Sequence, residues 1–170
     1  ARAAITETMI QQNVSSTRAQ NIAALAVIVA LVALSASFGA RYTPGAWYEA
    51  LNKPWWAPDK GVFAPVWTLL YLSIAVAAWL VWRRVGWRHV AMIVFCAQLI
   101  LNAAWSYLFF GRHRMDLAFY EILALWLSVL SMLITFWRVR PAVGGMLIPY
   151  LLWVAFAAVL NFGIWRANMS

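Results

Sequence analysis

The chain has 170 residues, of which 65% are hydrophobic and 11% charged, with a mean hydropathy of +0.76. A water-soluble domain carries about 25% charged residues because its surface must face water, so this composition excludes one and makes lipid the solvent. The net charge of +8 does not point to nucleic acid either. The basic residues gather between apolar runs, as Arg83, Arg84 and Arg88, Arg112 and Arg114, and Arg138 and Arg140, where helix ends meet anionic headgroups.

In chain order, residues 1–20 are polar without an amphipathic stripe and read as a flexible tail. Residues 21–168 then form a single membrane domain. A spanning helix needs about 20 predominantly apolar residues, and five such runs follow, at 22–40, 62–82, 90–110, 117–137 and 143–165. The expected fold is therefore all-α, an integral membrane bundle of five transmembrane helices. Helices satisfy every backbone polar group within the bilayer, and no alternating ten-residue segments suggest a β-barrel. The first run is too long for a signal-peptide core of about 7–15 residues. Short basic turns make neighbouring helices antiparallel and adjacent. Orientation stays open, because seven basic residues fall on the amino-terminal face and six on the other, too even for the positive-inside rule. Cys96 lies inside an apolar run and reads as a small core residue, offering no disulfide and no metal cluster.

In the first run Ala23, Ala26, Ala30, Ala33, Ser37 and Ala40 form a narrow stripe of small residues. Such a stripe permits close helix approach, with packing inside the bundle preferred over a dimer contact. The connection 41–61 carries Trp47, Tyr48, Leu51, Pro54, Trp55, Trp56 and Pro58. A plain linker would be polar and rich in Gly or Ser, so this loop is expected to be ordered and to fold back as a lid over a cavity.

Polar groups in hydrocarbon are costly and are functional candidates by default. Gln98, Asn102 and Ser106 share one helical face by their spacing of four. Tyr71, Glu121 and Asn161 add a phenol, an acid and an amide to three other spans. Two uses fit these groups: hydrogen bonds between helices, or the polar points of a mostly apolar ligand cavity. Glu121 sits about 6 Å into its helix, near enough to the interface to reach out or to pair with Arg114, and without other intramembrane acids it makes no proton relay. Trp79, Trp82, Trp87, Trp137 and Trp165 fall near span ends, where Trp collects. Trp67, Trp126 and Trp153 lie too deep for that belt and are either core or the walls of an aromatic pocket.

The run Trp47-Tyr48-Glu49-Ala50-Leu51-Asn52-Lys53-Pro54-Trp55-Trp56-Ala57-Pro58, continued by Val62-Phe63-Ala64-Pro65-Val66-Trp67-Thr68-Leu69-Leu70-Tyr71, resembles the signature of the TspO/translocator protein family, the tryptophan-rich sensory proteins also known as peripheral benzodiazepine receptors. Gln98 to Asn102 with Trp105 and Phe109-Phe110-Gly111, Pro149 to Trp153, and Leu160-Asn161-Phe162 with Trp165-Arg166 and Asn168 continue it in order. The resemblance implies a five-helix bundle, commonly a homodimer, whose first loop closes a ligand cavity. The ligands it implies are flat and apolar: protoporphyrin IX and related tetrapyrroles including haem, cholesterol in animal members, and isoquinoline carboxamides. It implies no obligatory cofactor and no metal site. Carried over residue by residue, the pocket is Trp67, Asn102 and Trp153 with Ala157. Tyr71, Trp105 and Asn161 join as ligand-binding candidates, and Trp47, Tyr48, Pro54, Trp55, Trp56 and Pro58 form the lid.

Phe162 stands where the cholesterol-recognition stretch of animal members has Tyr, which places sterol below porphyrin and suggests a bacterial-type member in a bacterial cell membrane. Three functions are then expected to compete. One is a porphyrin-binding receptor or sensor in tetrapyrrole or stress regulation. The second is light-dependent porphyrin degradation, with Trp67 and Trp153 as the redox participants. The third is a porphyrin or sterol transporter, although Pro149, which could break the fifth helix, has no counterpart in another span to suggest alternating access. No catalytic pair is legible. His89 and His113 could ligate haem, but both lie in basic turns, where solvated side chains are the simpler reading.

Overall fold

The computed structural model describes the backbone of residues 2–169 and the side chains of residues 17–169. Eight segments run in order: α1 (Arg2–Gly39), α2 (Ala46–Ala50), α3 (Lys60–Val85), α4 (Val90–Ser106), a π-helical turn (Tyr107–Gly111), α5 (Met115–Val139), α6 (Pro141–Gly145) and α7 (Ile148–Ala167). Among the described residues five stretches are long and apolar enough to cross a membrane: Thr17–Gly39, Lys60–Val85, Val90–Gly111, Met115–Val139 and Pro141–Ala167. Each overlaps an expected span: the first starts five residues earlier and ends one sooner, the third gains only Gly111, and the others extend two or three residues at each end, where flanking residues continue the helix past the apolar run. The chain is thus a multi-pass integral membrane protein. α1 also reaches back to Arg2, through the stretch expected to be a tail. No Gly or Pro interrupts the chain before Gly39, and Ala, Gln, Glu and Met all favour helix.

The fifth span is not one continuous helix. α6 ends at Gly145, and α7 restarts with Pro149 in its first turn, where a missing N–H costs no hydrogen bond. Sequence neighbours are also not always spatial neighbours. α3 and α4 are joined by residues 86–89 but touch little, since α1 packs against both; α5 packs against α4, α6 and α7. Gly86 ends α3 with φ +70°, in backbone that side-chain-bearing residues rarely adopt.

The core is a stack of aliphatic and aromatic side chains between the spans, including Ile28, Ile74, Phe95, Leu125, Met132, Phe136 and Tyr150. Cys96 is half-buried beside it. α1 turns Ala24, Ile28, Val32 and Ser35 inward, and Ser35 Oγ donates to the Leu99 carbonyl at 2.9 Å. The small-residue stripe therefore faces outward: Ala23, Ala26, Ala30, Ala33, Ser37 and Ala40 are all exposed. This overturns the expectation of packing inside the bundle. Lipid solvates apolar side chains as well as the bundle does, so no burial gain draws the stripe inward, and contacts such as the Ser35 hydrogen bond fix the inward face of α1.

Candidate functional site

A cavity of about 470 Å³ opens between the end of α1, the start of α3 and the second half of α4. Its size falls within the roughly 300–1,000 Å³ usual for small-molecule sites. Two helical rows of α3 form one wall, Phe63, Trp67 and Tyr71 beside Lys60, Ala64 and Thr68, each spaced by four residues. α4 supplies Asn102, Trp105 and Ser106, and Phe110 follows from the π-helical turn. Ala36 and Gly39 of α1 and Ala40 just beyond it leave the space, and Tyr42 to Pro44 rim it. π-helical turns often accompany functional sites because they redirect side chains, and here Gly111 admits Tyr42, whose ring would lie 2.7 Å from an added Cβ.

A chain of buried hydrogen bonds lies behind the wall. Tyr71 Oη donates to Asn102 Oδ1 at 2.6 Å, Asn102 Nδ2 donates to Tyr150 Oη at 3.1 Å, and Tyr150 Oη donates to Gln98 Oε1 at 2.8 Å. The shared face of Gln98 and Asn102 thus serves helix-to-helix bonding, while Asn102 also lines the cavity. Asn102→Leu keeps the bulk but removes two of these bonds. A loss of about 1–2 kcal/mol is expected in thermal unfolding in detergent. Ser131→Ala, which removes only an exposed bond to its own helix, is the reference. Equal behaviour of the two variants would show that the network contributes nothing.

Of the expected ligand contacts, the structure brings Trp67, Tyr71, Asn102 and Trp105 together around the cavity. Trp153, Ala157 and Asn161 stand outside its lining. Trp153 packs edge-on against Phe63, with ring centres 5.9 Å apart, and lies one layer behind the wall. Asn161 is buried and positions Trp105, accepting from its Nε1 at 3.1 Å while donating to the Met115 carbonyl. Trp126 belongs to the packing around the core. Phe63, Lys60 and Tyr150 were missed. Phe63 lies four residues before Trp67, the one periodic signal that could have found it.

The loop is ordered, but its aromatic stretch does not line this cavity. Tyr48 is buried against Phe109 and Phe110, and Trp47 stacks on His113 at 4.0 Å. Asn52 and Asn168 exchange two hydrogen bonds, Pro54 abuts Gly163, and Trp56 meets Phe156 edge-on. Trp55 is 95% exposed. Pro58, with Tyr48, Glu49, Lys53, Pro54, Ala57, Asp59 and Lys60, borders a second hollow of about 290 Å³. Lys60 Nζ pairs with Glu49, and that hydrogen bond holds the Glu49 carboxyl below the usual carboxylate range. The phenol of Tyr48 is pushed up by burial.

The other titratable candidates lie outside the lining of this cavity. Arg114, the residue before α5, pairs with Asp116 in the first turn of that helix and not with Glu121. Both Glu121 carboxyl oxygens are buried without a hydrogen-bond partner. His89 is half-buried and accepts the Ala91 amide through Nδ1, capping α4. Among the described residues no group of three or more His, Cys, Asp or Glu could hold a metal ion.

A model of the TspO/MBR family matches residues 23–166. The protein CrtK of Rhodobacter capsulatus is 35% identical over 146 residues, 84% of this chain and 91% of its own length. A tryptophan-rich sensory protein of Cereibacter sphaeroides is 37% identical over 135 residues, 79% of this chain and 85% of its own. The translocator protein of Bos taurus is 34% identical over 145 residues, 81% and 86% of the two chains. With a bundle of five spans and a match from the first span to the end of the last, the chain belongs to the TspO/MBR family.

Proposed function

We propose that the protein is a membrane receptor or sensor that binds a tetrapyrrole such as protoporphyrin IX in the cavity between α1, α3 and α4. The observation that carries this reading is the wall itself. Phe63, Trp67, Tyr71, Trp105 and Phe110 surround about 470 Å³, and aromatic faces favour a flat apolar ring system. Relatives bearing the names sensory protein and translocator protein support a receptor over a purely structural role. Sterol is the weaker ligand. Phe162 is exposed on the outer surface of α7 with the Arg166 guanidinium 5.9 Å from its ring centre, and neither lines the cavity.

The test is titration of the purified protein in detergent with protoporphyrin IX, following Trp fluorescence in the dark and porphyrin absorbance under illumination. Saturable quenching with a stable spectrum is expected. Saturable quenching followed by light-driven, protein-dependent loss of the Soret band would replace the receptor with a photochemical enzyme. Quenching that never saturates would sink the proposal.

A further inference from the structure

Sixteen residues line the cavity, and Lys60 is the one charged side chain among them. It stands at the mouth, where α3 begins, with 66% of its side chain exposed. Its ammonium is paired with Glu49 of α2, itself 56% exposed and not part of the cavity lining. Both residues also border the second hollow, so the pair marks the seam between loop and cavity. An uncharged ligand draws nothing from this cation. A flat apolar ligand bearing a carboxylate at one edge can set its ring against Trp67 and Trp105 while its carboxylate reaches the ammonium. To do so it must compete with Glu49.

Building on the tetrapyrrole reading of the same cavity, we propose that Lys60 determines specificity by reading an edge carboxylate of the ligand, with Glu49 as its internal competitor. The effect is modest because one exposed partner is exchanged for another. A three- to tenfold preference is the order expected for an exposed charge-assisted contact, about the upper end of what surface ion pairs yield. Salt screens such contacts, so the preference shrinks as ionic strength rises.

The experiment compares protoporphyrin IX, which carries two propionates, with its dimethyl ester. Both are titrated in the dark into the full chain in uncharged detergent, so that no lipid headgroup competes for the lysine. The diacid is expected to bind about fivefold more tightly at low salt, and the ratio is expected to fall toward one at high salt. Lys60→Met should bring the two affinities together even at low salt. Glu49→Gln should widen the ratio to about tenfold by removing the competitor. The ratio is read within each variant, so a general loss of folded protein does not imitate the result. Equal affinities in the unmodified protein, or an unchanged ratio in Lys60→Met, overturn the role of Lys60 while leaving the tetrapyrrole reading intact. Saturable binding of neither porphyrin overturns both.

Discussion

Gly144→Ala is expected to lower stability by about 2–3 kcal/mol, whereas Gly145→Ala should be nearly neutral. α6 lies directly against the end of α5, and a Cβ on Gly144 would stand 2.6 Å from Trp137 Cα and 2.7 Å from its backbone nitrogen. Backbone atoms cannot swing aside as a side-chain end can, so α6 would have to move away from α5. At Gly145 the nearest atom is 3.8 Å away, an ordinary contact. The displacement would carry into the start of α7, where Tyr150 joins the hydrogen bonds behind the cavity. Thermal unfolding of both variants in the same detergent checks this. Equal stability of the two would mean that α6 does not sit on α5 as described.

Trp67→Ala is expected to weaken protoporphyrin IX binding by roughly thirtyfold, about 2 kcal/mol for the lost aromatic surface. Trp67 forms the middle of the wall, tilted 31° against Tyr71 with ring centres 5.6 Å apart and edge-on to Tyr150 at 6.2 Å. Trp153→Ala should cost about threefold, because its ring supports Phe63 from behind and does not face the cavity. Trp55→Ala should change nothing, since that ring stands in the open. Fluorescence titrations of the three variants decide the order. An effect at Trp153 as large as that at Trp67 would move the ligand out of this cavity, toward the position that the family resemblance alone implies.

The comparison of Trp67 with Trp153 also shows where sequence reading stops. Depth along a helix is legible from the count of apolar residues, so both Trp can be placed well inside their spans, as they are within Lys60–Val85 and Pro141–Ala167. Angle about the bundle axis is not legible in the same way. In lipid a helix is apolar on every side, and no polar face marks the outside. For that reason α1 could not be oriented from its pattern, and its small-residue stripe was turned inward when it faces outward. Asn161 illustrates the same limit for polar groups. Its depth made it a candidate ligand contact, but only its neighbours show that it holds the indole of Trp105.

By itself, then, the sequence determined the solvent, the helical class, the five spans and an ordered aromatic loop. Each of these follows from local composition and the length needed to cross hydrocarbon. Tertiary structure alone decided which helices touch, how the fifth span is divided, and which side chains share the cavity. It also placed Lys60 at the cavity mouth against Glu49, and Tyr150 between Asn102 and Gln98. These depend on contacts between residues tens of positions apart, whose partners are chosen by packing among helices whose apolar surfaces all look alike to lipid.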